Sequence, residues 1–319
     1  MVNEIVGLIR DGRRFLLTTH ESPDGDALGA TLGLASFLRH IGKEVVVHAI
    51  DPVPALFSFL PGADTVTPEI PPLSYDVSFV LDVGEERRAG LRFSEATAKG
   101  VIVNIDHHAT CERFGDINLI DPVAAATGIL VHRIVEAYGY PLDRDTALCL
   151  YVAIITDTGS FRYSNANPEA FSVSSRLIAC GINAWDVAEK LYENQPKERL
   201  LLLAEALRHL RIDESGLFAS LAVTLDMYDR TGASPELTDG FVNYPRSIAG
   251  VEVALFFREL APDRFKVGFR SKGNVDVARL AQTFGGGGHH NAAGCVVDGP
   301  LDMVRDMVSS HLHAILTPR

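Results

Sequence analysis

Apolar residues along the first part of the chain fall into two alternating rhythms. Phe15–Thr19, Val45–Ile50, Val77–Val83 and Val101–Ile105 are short apolar runs of strand length. Between the first two lies Asp26–Ile41, where Leu28, Leu32, Ala35 and Leu38 share one helical face and Gly42 stands as a stop. The opening MVNEIVGLIRDGRRF reads as a short amphipathic helix. Strands separated by helical segments predict a doubly wound, mostly parallel sheet. In that architecture ligands bind at the carboxyl ends of the strands.

Helical patterns dominate from Ala124 to Arg211. Val123–Tyr138 stops near Gly139 and Pro141, Pro168–Cys180 stops at Gly181, and Pro196–Arg211 is rich in Leu. Leu142–Thr156 is almost wholly apolar, which fits a buried helix or a strand. The chain then changes character. Leu217–Thr224 reads as a strand, and Val251–Phe257 with Phe265–Arg270 as a hairpin about Ala261-Pro262-Asp263. A helix at Val275–Phe284, the run GGGGHHNAAG, a strand at Cys295–Val297 and a helix at Leu301–Leu316 complete it. The fold class is therefore α/β: an N-terminal doubly wound sheet plus a smaller C-terminal α/β domain, with the active site expected in the cleft between them. The expected bounds are 1–190 for the first domain, 191–212 for a helical linker and 213–319 for the second.

Composition narrows the partners. At 47% apolar and 22% charged residues the chain is ordinary for a globular protein. No apolar stretch approaches the roughly 20 residues that span a membrane. The N-terminus lacks the basic-then-apolar layout of a signal peptide, so a cytoplasmic protein is expected. Lys and Arg number 29 against 41 Asp and Glu, a formal charge of −12. That argues against binding long duplex DNA, where many phosphate contacts dominate affinity. It leaves room for short phosphorylated ligands whose charge is met by metal ions. Cys111, Cys149, Cys180 and Cys295 form no C-x-x-C pair and read as free thiols.

Four clusters place ionisable residues directly after apolar segments: His20, Asp24 and Asp26 in LLTTHESPDGDALGA, Asp82 in VSFVLDVG, Asp106-His107-His108 in VIVNIDHHAT, and Asp157 in YVAIITDTGSF. Each has a bland reading alone. Asp24 or Asp26 can cap a helix, Asp82 can be a solvated turn residue, Asp157 can close a helix, and a lone His beside a strand is usually structural. Together they fall where a parallel sheet gathers its active-site edge. Asp and His without Cys suit hard or borderline divalent ions such as Mn²⁺. The set is large enough for two ions sharing one carboxylate, the usual clamp for phosphoryl displacement.

His20-x-x-Pro23-Asp24-x-Asp26, the isolated Asp82, Asp106-His107-His108 and Asp157, in that order, resemble the four motifs of the DHH phosphoesterase superfamily. Gly286-Gly287-Gly288-His289-x-x-Ala292-x-Gly294 resembles the signature of that superfamily's associated C-terminal domain of the first type, and FRSKGNVDVARLA before it also fits. Over nearly the whole chain the pattern is most similar to the nanoRNase/pAp phosphatase group. The resemblance implies a hydrolase with two divalent ions, most simply Mn²⁺. His20 and Asp24 would hold one ion, Asp26, His107 and Asp157 the other, and Asp82 would bridge them. His108 would face the substrate as the catalytic group, with Asp106 orienting His107 or His108. Arg270, Ser271, Gly287, Gly288 and His289 would hold the far end of a short substrate. The implied substrates are RNA oligonucleotides of a few residues and pAp (3′-phosphoadenosine 5′-phosphate), and the implied assembly is a homodimer. Read without a ligand, the glycine run is a flexible hinge.

Two other enzyme readings and one non-enzyme reading stand beside it. A linear or cyclic dinucleotide phosphodiesterase would use the same site. A nucleotide-binding regulatory protein would have lost ligands, yet every expected one is present. A dehydrogenase would need G-x-G-x-x-G after the first strand, and none follows it.

Overall fold

The computed structural model describes residues 1–316, with the side chain of His289 outside the described residues. The chain divides into two compact units, Met1–Asn194 and Gln195–Arg319.

The first unit is built on a six-stranded, wholly parallel sheet. Its strands are β1 (Arg14–Thr18), β2 (Glu44–His48), β3 (Val66–Thr67), β4 (Val77–Leu81), β5 (Val101–Asp106) and β6 (Ile117–Ile120), in the spatial order β3-β2-β1-β4-β5-β6. The helices are α1 (Val2–Asp11), α2 (Gly25–His40), α3 (Leu91–Glu95), α4 (Thr127–Tyr138), α5 (Arg144–Asp157), α6 (Pro168–Ala179) and α7 (Ala184–Ala188). The winding direction reverses between β1 and β4, which lie side by side. This is the switch point at which open parallel sheets bind ligands.

Strand period 2 sorts the core. Phe15, Leu17, Phe79 and Leu81 join the large cluster formed with α2, α4 and α5. Leu16 and Val80 point to the other face and a smaller cluster with Ala89 and Phe93. With both faces covered, β4 is buried at every position, which explains its unbroken apolar run. The ambiguous stretch from Leu142 contains a helix, α5, whose middle from Ala147 to Ile155 is apolar because nearly all of it is buried.

Helix α2 lies antiparallel against α5 with almost no space between. A Cβ at Gly25 would sit 2.4 Å from Thr156 Oγ1, and one at Gly29 would sit 2.5 Å from the Cys149 carbonyl oxygen. Glycine permits that approach, and it carries the amino end of α2 to the carboxyl end of α5.

The second unit holds a mixed sheet in the order β11-β12-β10-β9-β8-β7. Its strands are β7 (Arg211–Ile212), β8 (Phe218–Val223), β9 (Val253–Ala261), β10 (Arg264–Ser271), β11 (Gly287–His289) and β12 (Ala292–Asp298). Only β8 and β9 pair in parallel. Its helices are α8 (Lys197–Arg208), α9 (Leu225–Thr231), α10 (Asn243–Arg246), α11 (Val277–Gln282) and α12 (Leu301–Leu316). Val304, Val308 and Leu312 of α12 pack with Leu255 and Phe257. Leu202, Leu203 and Ala206 of α8 pack with Val223, Met227 and Phe241.

Two details differ from the reading of the sequence. Helix α8, expected within a linker, buries its Leu face in the second unit and belongs to it. The glycine run is not a loop throughout: Gly287–His289 forms β11, paired antiparallel with β12. Gly288 has φ +143°, and a Cβ there would meet the Ala292 carbonyl at 2.5 Å, so the pairing itself requires glycine.

Candidate metal centre

The carboxyl ends of β1, β4 and β5 and the end of α5 deliver the expected side chains to one place. His20 follows β1, Asp82 follows β4 directly, Asp106 ends β5 with His107 and His108 after it, and Asp157 is the last residue of α5. Asp82 has φ +60°, a left-handed conformation that breaks the strand sharply and that Asp tolerates better than most residues. Three overlapping groups have potential ligand atoms all within 4.8 Å of one another: His20, Asp24 and Asp82; Asp26, His107 and Asp157; and Asp82, His107 and His108.

Two ring orientations are set from behind. His20 Nδ1 donates to the Glu21 carbonyl at 2.7 Å and His107 Nδ1 to the Ala124 carbonyl at 3.2 Å. Each ring then turns the lone pair of Nε2 toward carboxylates, the orientation common among metal-binding histidines. His20 Nε2 lies 3.7 Å from Asp82 Oδ2. His107 Nε2 lies 3.7 Å from Asp26 Oδ2, 3.8 Å from Asp82 Oδ1 and 3.7 Å from Asp157 Oδ2. These gaps are too long for hydrogen bonds. They match donors gathered around an ion with bonds of about 2 Å. The two oxygens of Asp82 therefore face different histidines.

His108 is held differently. Its Nδ1 donates to Asp106 Oδ1 at 2.7 Å, and its backbone amide donates to the same oxygen at 2.9 Å. Burial works against charge on His108, but the Asp106 hydrogen bond and the Asp82 carboxylate raise its pKa to about 9. Asp106 is fully buried and accepts both of these bonds.

The carboxylates of the cluster act on one another. Burial, then repulsion by Asp82 and other carboxylates, raises Asp26 well above the ordinary carboxylate range. Asp24 keeps solvent access, and is raised by partial desolvation among its neighbours and by the Asp82 carboxylate. Burial is the main cause that takes Asp157 to about 6. Asp82 alone is lowered, because neighbouring histidines outweigh its burial. A set of oxygen and nitrogen donors without sulfur, running from buried Asp26 and Asp82 to exposed Asp24 and with carboxylates that repel one another, fits divalent cations of the hard or borderline kind.

The capping readings and the ligand readings coexist. Asp24 caps α2, its Oδ1 accepting from the amides of Asp26 and Ala27, both at 3.1 Å. Asp26 caps a different helix: its oxygens accept from the amides of Thr127 at 2.7 Å and Gly128 at 3.0 Å, the start of α4. Two supporting residues escaped the sequence reading. Thr127 donates its hydroxyl to Asp82 Oδ1 at 2.9 Å. Asn165 Nδ2 donates to Asp157 Oδ2 at 3.0 Å and to the Ala125 carbonyl at 2.9 Å. Neither was singled out, although both lie in stretches, FGDINLIDPVAAATGILV and TDTGSFRYSN, that also fit the resembled group. The turn that leads to Asn165 has left-handed φ at Gly159, Ser160 and Phe161 in succession.

The other expected residues lie in the second unit. Arg270 and Ser271 end β10, and Arg270 and His289 are both register partners of Ala292. Arg270, Ala292 and His289 therefore form one row across three strands, with Gly287 and Gly288 in the outer one. Ser271 Oγ donates to Asn291 Oδ1 at 2.9 Å, and the Arg270 guanidinium donates to the Phe269 carbonyl at 3.0 Å. The expected part of the His289 side chain in substrate binding falls outside the described residues.

Residues 14–154 match the DHH family N-terminal domain and residues 217–314 match the DHHA1 domain. The chain belongs to the DHH family. Over 94% of its length it is 32% identical to the bifunctional oligoribonuclease and PAP phosphatase NrnA of Thermus thermophilus, covering 90% of that protein. A crystal structure of an exopolyphosphatase-related protein from Bacteroides fragilis superposes with TM-score 0.93 at 28% identity, over 98% of this chain and 95% of that one. RecJ of Thermus thermophilus, solved in complex with Mn²⁺, shares the fold at TM-score 0.55 and 16% identity, over 99% of this chain and 55% of that one. Among the described residues no helix is long and apolar enough to cross a membrane.

Proposed function

We propose that this protein is a cytoplasmic, Mn²⁺-dependent phosphoesterase that hydrolyses RNA oligonucleotides of a few residues to mononucleotides and pAp to AMP. The observation that carries the reading is the donor arrangement around Asp82, whose two carboxylate oxygens face His20 and His107 separately. The whole-length similarity to an oligoribonuclease and PAP phosphatase supports the substrate class.

His20 and Asp24 would hold one ion and Asp26, His107 and Asp157 the second, with Asp82 available to both. When bound, such ions would supply charge neutralisation at phosphate and an activated water for in-line displacement. Asp106 fixes the ring and tautomer of His108 through Nδ1. His108 meets the substrate through Nε2 and donates a hydrogen bond to a phosphoryl oxygen or to the leaving oxygen. Arg270, Ser271, Gly287, Gly288 and His289 bind the distal phosphate or base, with the closely spaced backbone amides of the glycine strand available to phosphate oxygens. A short substrate suits an acidic protein, because affinity for a few nucleotides needs no long basic track.

The test uses purified protein with Mn²⁺. It is expected to shorten 5′-labelled di- to pentaribonucleotides to mononucleotides and to release phosphate from pAp. Intact pAp refutes the phosphatase claim, and intact oligonucleotides refute the nuclease claim. Turnover restricted to dinucleotides points to a dinucleotide phosphodiesterase.

A further inference from the structure

The segment Ala124-Ala125-Ala126-Thr127-Gly128 touches three of the six candidate ligands, His107, Asp26 and Asp82, and reaches a fourth, Asp157, through Asn165. The Ala124 carbonyl orients His107, and the Ala125 carbonyl accepts from Asn165, which also holds Asp157. The amides of Thr127 and Gly128 hold both oxygens of Asp26. Thr127 is the one residue of the five whose side chain takes part, and it is fully buried.

The roles of its amide and its hydroxyl are separable. Ala126, at the N-cap position of α4, offers no side-chain cap, and Asp26 fills that place from another helix. Any residue at position 127 would supply the amide. The hydroxyl is not needed for the cap and instead points to Asp82 Oδ1 at 2.9 Å. A carboxylate rotates easily about its last bond. One donor on Oδ1 fixes the plane, which leaves Oδ2 toward His20 and Oδ1 toward His107. Outer hydrogen bonds of this kind orient metal ligands.

We propose that Thr127 is a positioning residue: its hydroxyl sets the Asp82 carboxylate in the orientation that lets one group serve two ions, while its amide holds Asp26. This rests on the two-ion reading above. Thr127 touches no substrate in this account, so its effect should appear in metal affinity before it appears in substrate binding.

Thr127→Val removes the hydroxyl and keeps the branched shape, while Thr127→Ser keeps the hydroxyl. Mn²⁺ alone is titrated into each protein by calorimetry, and free Mn²⁺ is followed by electron paramagnetic resonance. The Val variant is expected to bind the weaker ion about 10- to 100-fold less tightly, with the Ser variant within about threefold of the parent. The Mn²⁺ concentration for half-maximal turnover of pAp rises in step, and KM for pAp at saturating Mn²⁺ stays unchanged. Parent protein that binds no Mn²⁺ overturns the two-ion reading together with this inference. Normal binding by the parent and equal binding by Thr127→Val overturns this inference alone. Should Thr127→Val lose its fold, Thr127→Ser decides: a tenfold loss of affinity with the hydroxyl still present refutes the hydroxyl's role.

Discussion

The contact between α2 and α5 sets how near Asp24 and Asp26 come to Asp157, so a single added methyl there tests structure and chemistry together. Gly29→Ala would place its Cβ 2.5 Å from the Cys149 carbonyl oxygen and 2.8 Å from the Ala153 nitrogen. Both are backbone atoms inside a buried helix and cannot turn aside, so the two helices must separate. Overpacking of this kind costs about 1–3 kcal/mol, and backbone atoms at such distances argue for the upper end. Alanine regains about 1 kcal/mol of helix propensity over glycine. The net expectation is a loss of about 2 kcal/mol. Gly33→Ala is the internal control. Its nearest neighbour is Leu150 Cδ2 at 2.7 Å, the far end of a side chain that can rotate. There the propensity gain dominates, and stability should stay level or rise by up to about 1 kcal/mol. Urea unfolding of metal-free protein measures both, and Mn²⁺ titration should show weaker binding for Gly29→Ala only. The reasoning fails if Gly29→Ala is as stable as the parent, or if Gly33→Ala loses as much.

Two more expectations follow from named contacts. His107→Ala should weaken Mn²⁺ binding by more than about a hundredfold, while His108→Ala should keep the ions and slow turnover by about 10²–10⁴; equal loss of metal in both would sink the division of labour. His48 is fully buried, with Nδ1 on Thr18 Oγ1 at 2.9 Å. Burial, with the nearby Arg92 charge, lowers its pKa from 6.5 to about 4. The unfolded chain therefore takes up the proton first, and stability contributed by neutral His48 is present above about pH 6.5 and lost as pH falls toward 4. The urea midpoint of His48→Gln should change less with pH across that window than the parent's, and parallel profiles would count against the assignment.

Much of this site is legible in the chain because each candidate ligand follows an apolar segment. In a parallel sheet such positions converge whatever the spacing between them. What could not be read is who supports whom. Asp24 and Asp26 both looked like caps of one helix, yet Asp26 caps α4, 101 positions further on. That pairing depends on how α2 and α4 pack. The same holds for Thr127, 45 positions from Asp82, and for Asn165, which joins nearby Asp157 to Ala125, 40 positions away. Gly25, Gly29 and Gly33 repeat at helical spacing, but their meaning needs α5 beside them. Strand β11 went unread because glycine ordinarily weakens strands. Here positive φ and close backbone pairing demand it. Strand β6 was missed too, being four residues long with a polar Asn118 inside.

The central claim is that Asp82 is shared by two ions that the chemistry needs. The most direct measurement is Mn²⁺ stoichiometry by calorimetry, with turnover of pAp and a diribonucleotide, for the parent and Asp82→Asn. The account predicts two ions per chain in the parent, with loss of at least one ion and of nearly all turnover of both substrates in Asp82→Asn. An active parent that binds a single ion, or an Asp82→Asn protein that turns over at the parent's rate, would contradict it.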